Sequence, residues 1–162
     1  YLTWKAHEAG VKTRFIELAG EVNQSMPEYV VNIVAKALNV AEKSIRSSRI
    51  LILGLAYKSN VDDTRESPSF ELIELLSEEG ANIDYFDPHV DTIPKIRKFP
   101  KLSGKKSVEW GQETIRSYDL VLVSTAHDTV NYQELGQWAK VVVDTRNAMS
   151  EVTDANAKIY PA

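Results

Sequence analysis

The chain contains no cysteine among its 162 residues, and this absence excludes several classes of function. A disulfide scaffold, a cysteine-ligated zinc site and a cysteine nucleophile are all ruled out within this chain. Histidine is also scarce, with three residues, so no metal site is expected. No apolar run reaches the length of about 18 residues that a membrane-spanning helix needs, which predicts that the chain does not enter a membrane.

The charge balance is slightly acidic, with 19 Lys and Arg against 23 Asp and Glu and a formal net charge of −4. Nucleic-acid-binding domains usually carry a basic excess, so no nucleic-acid partner is expected. Hydrophobic residues make up 43% and charged residues 26%, which is typical of an ordinary globular domain. The chain begins with Tyr1 and shows no basic-then-apolar leader, so we expect a fragment or a processed chain.

Residues 1–46 contain no strand-like run and have the apolar spacing of helices. Ser25 to Glu28 has the form of a capping box around Pro27, which predicts a helix start there unless the helix continues from the preceding stretch. Two interpretations of this helical arm remain equally open: it covers its own domain, or it packs against another chain or a missing domain. The apolar positions are Leu2, Ala6 and Ala9 before Gly10, then Phe15, Leu18, Ala19 and Val22, then Val30, Ile33, Val34, Ala37, Leu38 and Ala41.

Residues 47–162 form a second unit, in which short apolar runs alternate with amphipathic stretches. Continuous apolar runs are typical of strands covered on both faces, as in parallel sheets. The alternation predicts an α/β fold with a doubly wound, mostly parallel Rossmann-like sheet. The predicted strands are 50–56, 81–86, 119–124 and 141–144. The predicted helices are 111–117, 132–138 and one that Ser67 caps, Pro68 opens and Gly80 ends; residues 89–108 are a long connection.

The segment from Gly54 to Pro68 joins the first predicted strand to its helix and is longer than most such loops. It contains one glycine, so it matches neither the G-x-G-x-x-G pattern nor the P-loop pattern that hold phosphates. A complete dinucleotide-binding fold is therefore not predicted. Ligands of open parallel sheets bind at the carboxyl ends of the strands, which makes this loop the first place to look for a site.

Three cations follow predicted strands and could meet at that edge. Lys58 and Arg65 lie in the long loop beside a helix N-terminus, and Arg146 follows the fourth strand. Helix N-termini and arginine side chains favour anions, so convergence would create a diphosphate site. The alternative is that Lys58 and Arg65 are solvated turn residues paired with Asp62, Asp63 or Glu66.

Other candidate constellations are weaker, and no catalytic or metal-binding residue is predicted. Ser124, His127 and Asp128 have the residue types of a catalytic triad but lie almost consecutively, without a G-x-S-x-G turn. Asp87, His89 and Asp91 have the spacing of metal ligands, but Pro88 favours a plain turn.

Several segments together resemble the UDP-glucose/GDP-mannose dehydrogenase family. GLAYKSNVDDTRESPS from Gly54, YFDPHV from Tyr85, DLVLVSTAHD from Asp119 and VVVDTRN from Val141 are similar to its C-terminal, UDP-binding domain. Upstream, YLTWKAHEAG and FIELAGEVNQSMPEYV resemble its central helical domain. The phrases YLTWKA and ELAGEVNQSMP are most similar to the branch that acts on UDP-N-acetylglucosamine or UDP-N-acetylmannosamine.

The resemblance implies a cytoplasmic enzyme of polysaccharide biosynthesis that oxidises the C6 alcohol of a UDP-sugar to a carboxylate with two NAD. In the family the nucleophilic cysteine and the NAD-binding domain lie upstream, so this chain alone is expected to be inactive. By position, Tyr57, Lys58 and Arg146 match residues that hold the UDP-sugar, and Arg65 matches one that approaches NAD on the other domain. A homodimer through the N-terminal helical segment is also implied. The alternatives are a non-catalytic nucleotide-binding and dimerisation module, or a dimerisation domain without a ligand.

Overall fold

The computed structural model describes residues 13–162. The predicted helical stretch around Leu2, Ala6 and Ala9 lies outside these residues. Within residues 13–162, no helix is long and apolar enough to cross a membrane.

A five-stranded, all-parallel sheet forms the centre of the fold, in the order β2-β1-β3-β4-β5. This confirms the predicted α/β, Rossmann-like fold with a parallel sheet. The fifth strand, at the edge of the sheet, was not expected from the sequence. The strands are β1 Arg49–Leu53, β2 Asn82–Phe86, β3 Leu120–Val123, β4 Val141–Asp144 and β5 Lys158–Pro161.

Helices cover both faces of this sheet, because alternate residues of a strand point to opposite sides. Ile50 and Ile52 of β1 belong to one apolar cluster, whereas Leu51 and Leu53 belong to the other. The helices are α1 Arg14–Val40, α2 Ser69–Glu78, α3 Gln112–Arg116 and α4 Tyr132–Trp138, with a 3₁₀ turn at Pro100–Leu102. The first cluster contains residues of α1 and α2, and the second contains residues of α3 and α4.

The long helix α1 runs without a break through Pro27. The predicted capping box is therefore wrong as a helix start, because the Ser25 hydroxyl donates backward to the Val22 carbonyl oxygen at 2.9 Å. That oxygen lies one turn earlier in the same helix, so Ser25 is an interior residue.

The two halves of α1 have different surroundings. Its C-terminal half buries Val30, Val34, Ala37 and Leu38 in the apolar cluster it shares with the sheet. Its N-terminal half carries apolar side chains that are exposed, with Phe15 at 89%. The C-terminal half of α1 therefore covers its own domain, as the first of the two interpretations expected. The division between residues 46 and 47 stays a prediction.

The ends of α2 follow the sequence signals closely. The Ser67 hydroxyl accepts a hydrogen bond from the Ser69 amide at 3.3 Å, as expected for a capping side chain one residue before the helix boundary. Gly80 has a φ of 92°, and the Ala81 amide donates to the Leu76 carbonyl oxygen at 3.0 Å. A left-handed glycine with this backward hydrogen bond is a common helix stop.

Candidate functional site

The strand order reverses between β1 and β3: β2 is added on one side of β1, whereas β3 and β4 are added on the other side. Ligands of such sheets bind in the crevice outside the carboxyl ends of the strands at this switch. The loop after β1 begins at Gly54, which has a φ of 85°. A Cβ there would lie 2.0 Å from the carbonyl oxygen of Thr125, so only glycine allows the loops after β1 and β3 to cross this closely.

Two buried hydroxyl groups join the start of α2 to these loops. The Ser69 Oγ donates to the Gly54 carbonyl oxygen at 3.1 Å and lies 2.7 Å from the Ser124 Oγ. Both serines are almost fully buried. The Ser124 hydroxyl is therefore engaged in a buried contact with the start of α2.

A cavity of about 440 Å³ opens beside this crossing. Tyr57 reaches it from the loop after β1 and Arg146 from the loop after β4, and the middle of α1 forms its opposite wall. Tyr57 is 55% exposed. The other lining residues are Asn23, Met26, Pro27, Val30, Glu66, Pro68, Leu72, Ser124, Thr145 and Ala162.

Arg146 is fixed at the wall of this cavity by its neighbours. Its Nε donates to the Ser124 carbonyl oxygen at 2.6 Å, and its amide donates to Asp144 Oδ1 at 2.9 Å. The Asp144 Oδ2 accepts from the Met149 amide at 2.8 Å, so one carboxylate shapes the whole turn. The turn includes a non-glycine residue with a left-handed backbone, Asn147, at a φ of 57°. Such conformations cluster at functional sites.

The segment that carries Tyr57 and Lys58 is held from both sides. The Tyr57 amide donates to the Asp63 carbonyl oxygen at 2.7 Å, across the loop. Asn60 and Asp128 exchange two hydrogen bonds, at 2.8 and 3.0 Å. Lys58 itself is exposed and is not among the lining residues of the Tyr57–Arg146 cavity.

Arg65 forms an ion pair within its own turn. Its Nε and a terminal nitrogen donate to the two oxygens of Asp63 at 2.9 and 2.8 Å. These hydrogen bonds lower the pKa of the Asp63 carboxyl to about 2 and raise the pKa of Arg65. The pairing that the sequence left open as an alternative is thus present, although the side chain of Arg65 remains 87% exposed.

Arg65 lines a second, larger cavity of about 900 Å³ next to the first. Lys95, Arg97 and Lys98 of the long connection also line it, and the two cavities share walls at Asn23, Pro27, Glu66 and Pro68. Tyr57 and Arg146 therefore meet at one cavity and Arg65 at its neighbour. The single meeting point expected for Lys58, Arg65 and Arg146 is not seen, because Lys58 lines neither of these two cavities and Asp63 holds Arg65 within its own turn.

A buried carboxylate, Asp87, organises the loops beneath the site. Its Oδ2 accepts from the amides of Leu55 and Ala56 at 2.6 and 3.0 Å, and its Oδ1 accepts from those of His89 and Val90 at 2.8 and 3.1 Å. His127 Nε2 lies 3.1 Å from Oδ2, and both side chains are fully buried. Burial raises the pKa of Asp87, but these hydrogen bonds, led by that of His127, outweigh it and lower the pKa to about 2.

Sequence reasoning missed the roles of Asp87 and His127. Asp87 was assigned to a plain turn, and His127 was considered only as part of a catalytic triad that was rejected. One signal was available: an aspartate directly after a buried strand can accept amides of the neighbouring loop at the same sheet edge. Among residues 13–162, no group of three or more acidic or histidine side chains is placed to hold a metal ion.

The turn after β1 does not fit the pyrophosphate of NAD. In dinucleotide-binding folds, the backbone amides at this turn and the following helix N-terminus face the phosphates. Here the amides of Leu55 and Ala56 already donate to the Asp87 carboxylate, and both residues are fully buried. This turn therefore serves the internal structure of the loops and offers NAD no site.

Comparison with known proteins shows the family of the chain. The profile of the UDP-glucose/GDP-mannose dehydrogenase family, UDP binding domain, matches residues 51–151, which contain the loops after β1, β2 and β3 and the first half of the loop after β4. The chain belongs to this family. The match confirms the resemblance drawn from the sequence segments, and it identifies the α/β unit as the family's UDP-binding domain.

Curated relatives match almost the whole chain but are about three times longer. A UDP-N-acetyl-D-mannosamine dehydrogenase from Methanococcus maripaludis is 34% identical over 154 residues, covering 90% of this chain and 33% of the relative. A UDP-N-acetyl-D-glucosamine 6-dehydrogenase from Pseudomonas aeruginosa is 27% identical over 157 residues, covering 93% of this chain and 36% of the relative. The chain thus spans about a third of the length of these family members.

Solved structures of the family share the fold. A UDP-glucose dehydrogenase from Pyrobaculum islandicum superposes with a TM-score of 0.72 at 28% identity, over 99% of this chain and 34% of that one. A UDP-D-ManNAc dehydrogenase from Pyrococcus horikoshii superposes with a TM-score of 0.76 at 23% identity, over 96% and 35%. Both likenesses extend over α1 as well as the sheet.

Proposed function

We propose that this chain binds the uridine diphosphate part of a UDP-sugar in the Tyr57–Arg146 cavity. The observation that carries the proposal is the fixed guanidinium of Arg146 at the wall of a cavity at the switch point of the sheet. With Nε held by Ser124, the two terminal nitrogens of Arg146 have no partner among residues 13–162. Two parallel donors of this kind suit a phosphate.

Tyr57 and Lys58 complete the proposed substrate site from the loop after β1. The exposed ring of Tyr57 gives the cavity an apolar surface with a hydroxyl at its tip, which suits a nucleoside or sugar. Lys58 adds a mobile point charge on the adjacent position, which a bound diphosphate would attract. Fixing the diphosphate in this way positions a distant C6 atom and so contributes to catalysis remotely.

The complete reaction that we propose needs residues beyond this chain. In a UDP-sugar 6-dehydrogenase, an alcohol is oxidised to a carboxylate by NAD. The chain contains no cysteine, and among residues 13–162 the turn after β1 does not fit NAD. We therefore expect the chain alone to be inactive. The exposed guanidinium of Arg65 is proposed to face NAD bound by another domain, and a cytoplasmic location belongs to the same proposal.

The exposed half of α1 is proposed to pair with a second copy of the chain. Five apolar residues recur at steps of three and four, so they share one helix face, and each is at least 39% exposed. They are Phe15, Leu18, Val22, Met26 and Tyr29. A continuous apolar stripe of this length is typical of an interface between chains.

Amide chemical shifts recorded during a UDP titration test the proposed site. We expect the largest changes at Tyr57, Lys58, Thr145 and Arg146, and little change at Leu102, which lines another cavity. Changes confined to other surfaces would contradict the site. No change at millimolar UDP would favour a dimerisation domain without a ligand.

A further inference from the structure

The Asp87–His127 pair contacts the long loop on both sides of its proposed substrate-binding residues. Asp87 accepts the amides of Leu55 and Ala56, which directly precede Tyr57. The Asn60 amide, two residues after Lys58, donates to His127 Nδ1 at 3.0 Å. The segment from Tyr57 to Ser59 is therefore bracketed by hydrogen bonds to one buried pair.

The hydrogen bonds determine the tautomer of His127. A backbone amide can only donate, so Nδ1 of His127 is an acceptor and carries no proton. The proton of the neutral ring then lies on Nε2, from which it is donated to Asp87 Oδ2 at 3.1 Å. The result is a directed chain from the Asn60 amide through the imidazole to the carboxylate, and it is consistent with the low pKa of Asp87.

Other groups pack around this series of hydrogen bonds without replacing any of its members. The ring of His89 lies 4.9 Å from that of His127, and the Tyr132 hydroxyl accepts the His127 amide at 3.0 Å. Asp128 binds the side chain of Asn60 at the surface, where water competes. Asn60 is itself exposed, but the His127 ring is fully buried, so the His127 contact anchors the turn to the interior of the fold.

We propose that Asp87 and His127 are positioning residues that hold the Tyr57–Lys58 segment in its ligand-binding conformation. Neither side chain lines the Tyr57–Arg146 cavity, so they act through the loop rather than on the ligand. The inference rests on the proposed UDP-binding function of that loop. Buried ionisable pairs often contribute little to stability, so this positioning role gives a reason for the Asp87–His127 pair.

Two substitutions of His127 separate its hydrogen bond with the Asn60 amide from its hydrogen bond with Asp87. His127→Asn places an oxygen near the Nδ1 position, so it retains the acceptor for Asn60 and loses the donor to Asp87. His127→Gln places an amide group near Nε2, so it retains the donor to Asp87 and loses the acceptor. His89→Gln is the matched control, because it removes a neighbouring ring and leaves both hydrogen bonds.

The readouts are nitrogen chemical shifts of the His127 ring, hydrogen exchange of the Asn60 amide, and UDP affinity by calorimetry. We expect an Nε2-protonated ring and a protected Asn60 amide in the unmodified chain. His127→Gln should speed Asn60 exchange and weaken UDP binding by about fivefold or more. His127→Asn should preserve more of the Asn60 protection than His127→Gln, and His89→Gln should leave both readouts unchanged.

The outcomes distinguish this inference from the proposed function. A protonated Nδ1, or a fast-exchanging Asn60 amide in the unmodified chain, overturns the positioning role without any variant. Equal UDP affinity in His127→Gln, with faster Asn60 exchange, also overturns it and leaves UDP binding standing. Absence of UDP binding in the unmodified chain removes the proposed function and with it the positioning role in ligand binding, while the ring shifts and exchange still report the hydrogen bonds.

Discussion

The Nε of Arg146 lies 2.6 Å from the carbonyl oxygen of Ser124 and donates a hydrogen bond to it. This bond joins the loop after β4 to the end of β3, across the neighbouring strands of the sheet. Asp144 also accepts the main-chain amide of the same arginine, so Arg146 is held at the cavity wall through both its backbone and its side chain. A donor that is already ordered loses less conformational freedom on binding, so it favours affinity.

The stability of the fold should depend on the ionisation of Asp87. Its pKa is about 2 in the folded chain against an ordinary value of 3.8, so the folded state favours the carboxylate. The stabilisation is present above about pH 4 and is lost as pH falls toward 2, and it amounts to about 2 kcal/mol. Asp87→Asn should therefore lower the free energy of unfolding in urea at pH 7 by about this amount.

The difference between this variant and the unmodified chain should shrink between pH 4 and pH 2. Asp91→Asn is the matched control, since Asp91 is exposed in the same connection, and it should follow the unmodified chain throughout. A deficit of Asp87→Asn that stays constant over this range would show that the carboxylate charge is not what stabilises the loops.

Two glycines with nearly the same backbone conformation test the crossing of the loops. Gly54 and Gly104 have φ values of 85° and 82°, but an added Cβ meets the Thr125 carbonyl oxygen at Gly54 and nothing within 4 Å at Gly104. Gly104→Ala should cost about 1 kcal/mol from backbone strain alone. Gly54→Ala should cost more than about 3 kcal/mol, because the backbone of one loop must move.

Thermal and urea unfolding of both variants measure this difference. Similar losses of stability at the two positions would mean that the loops after β1 and β3 do not cross as closely as the structure shows.

The sequence predicted most of the fold because each internal strand is covered on both faces. Runs such as those of β1, β3 and β4 are continuously apolar, and Leu120–Val123 is buried at every position. β2 and β5 are both edge strands, but β2 still buries alternate residues and was predicted. β5 was missed because Lys158–Pro161 is mostly exposed and ends in proline. The capping box failed because Ser25 has a second acceptor one turn back in a continuing helix.

The candidate site residues were predicted in two ways: the cations from their positions after strands, and Tyr57 from the family resemblance alone. Cations after strands pointed to Arg146 and Arg65, but the competition from Asp63 for Arg65 depends on the geometry of one turn. Asp87 and His127 lie 40 residues apart, and only the parallel order of β2, β1 and β3 brings their loops together. The position of Asp87 directly after a buried strand was a local signal, but no residue near His127 in the sequence indicated Asp87 as its partner.

The apolar stripe of α1 should hold two chains together. Val22→Lys places a charge at its centre, and we expect it to shift the chain from dimer to monomer in sedimentation velocity experiments. Glu28→Lys is the matched control, because it introduces the same side chain on an exposed position about a third of a turn away from the stripe. A monomeric unmodified chain, or a dimer that survives Val22→Lys, would contradict the proposed pairing.

Calorimetric titration of UDP into the full chain and into Arg146→Gln tests the central proposal most directly. Arg146→Gln removes a charged donor, and a hydrogen bond to a charged group contributes about 1.5–3 kcal/mol. We therefore expect UDP binding to weaken at least tenfold. Arg116→Gln, an exposed arginine on α3, should bind UDP like the unmodified chain. Equal affinity for UDP in Arg146→Gln and Arg116→Gln would contradict the account.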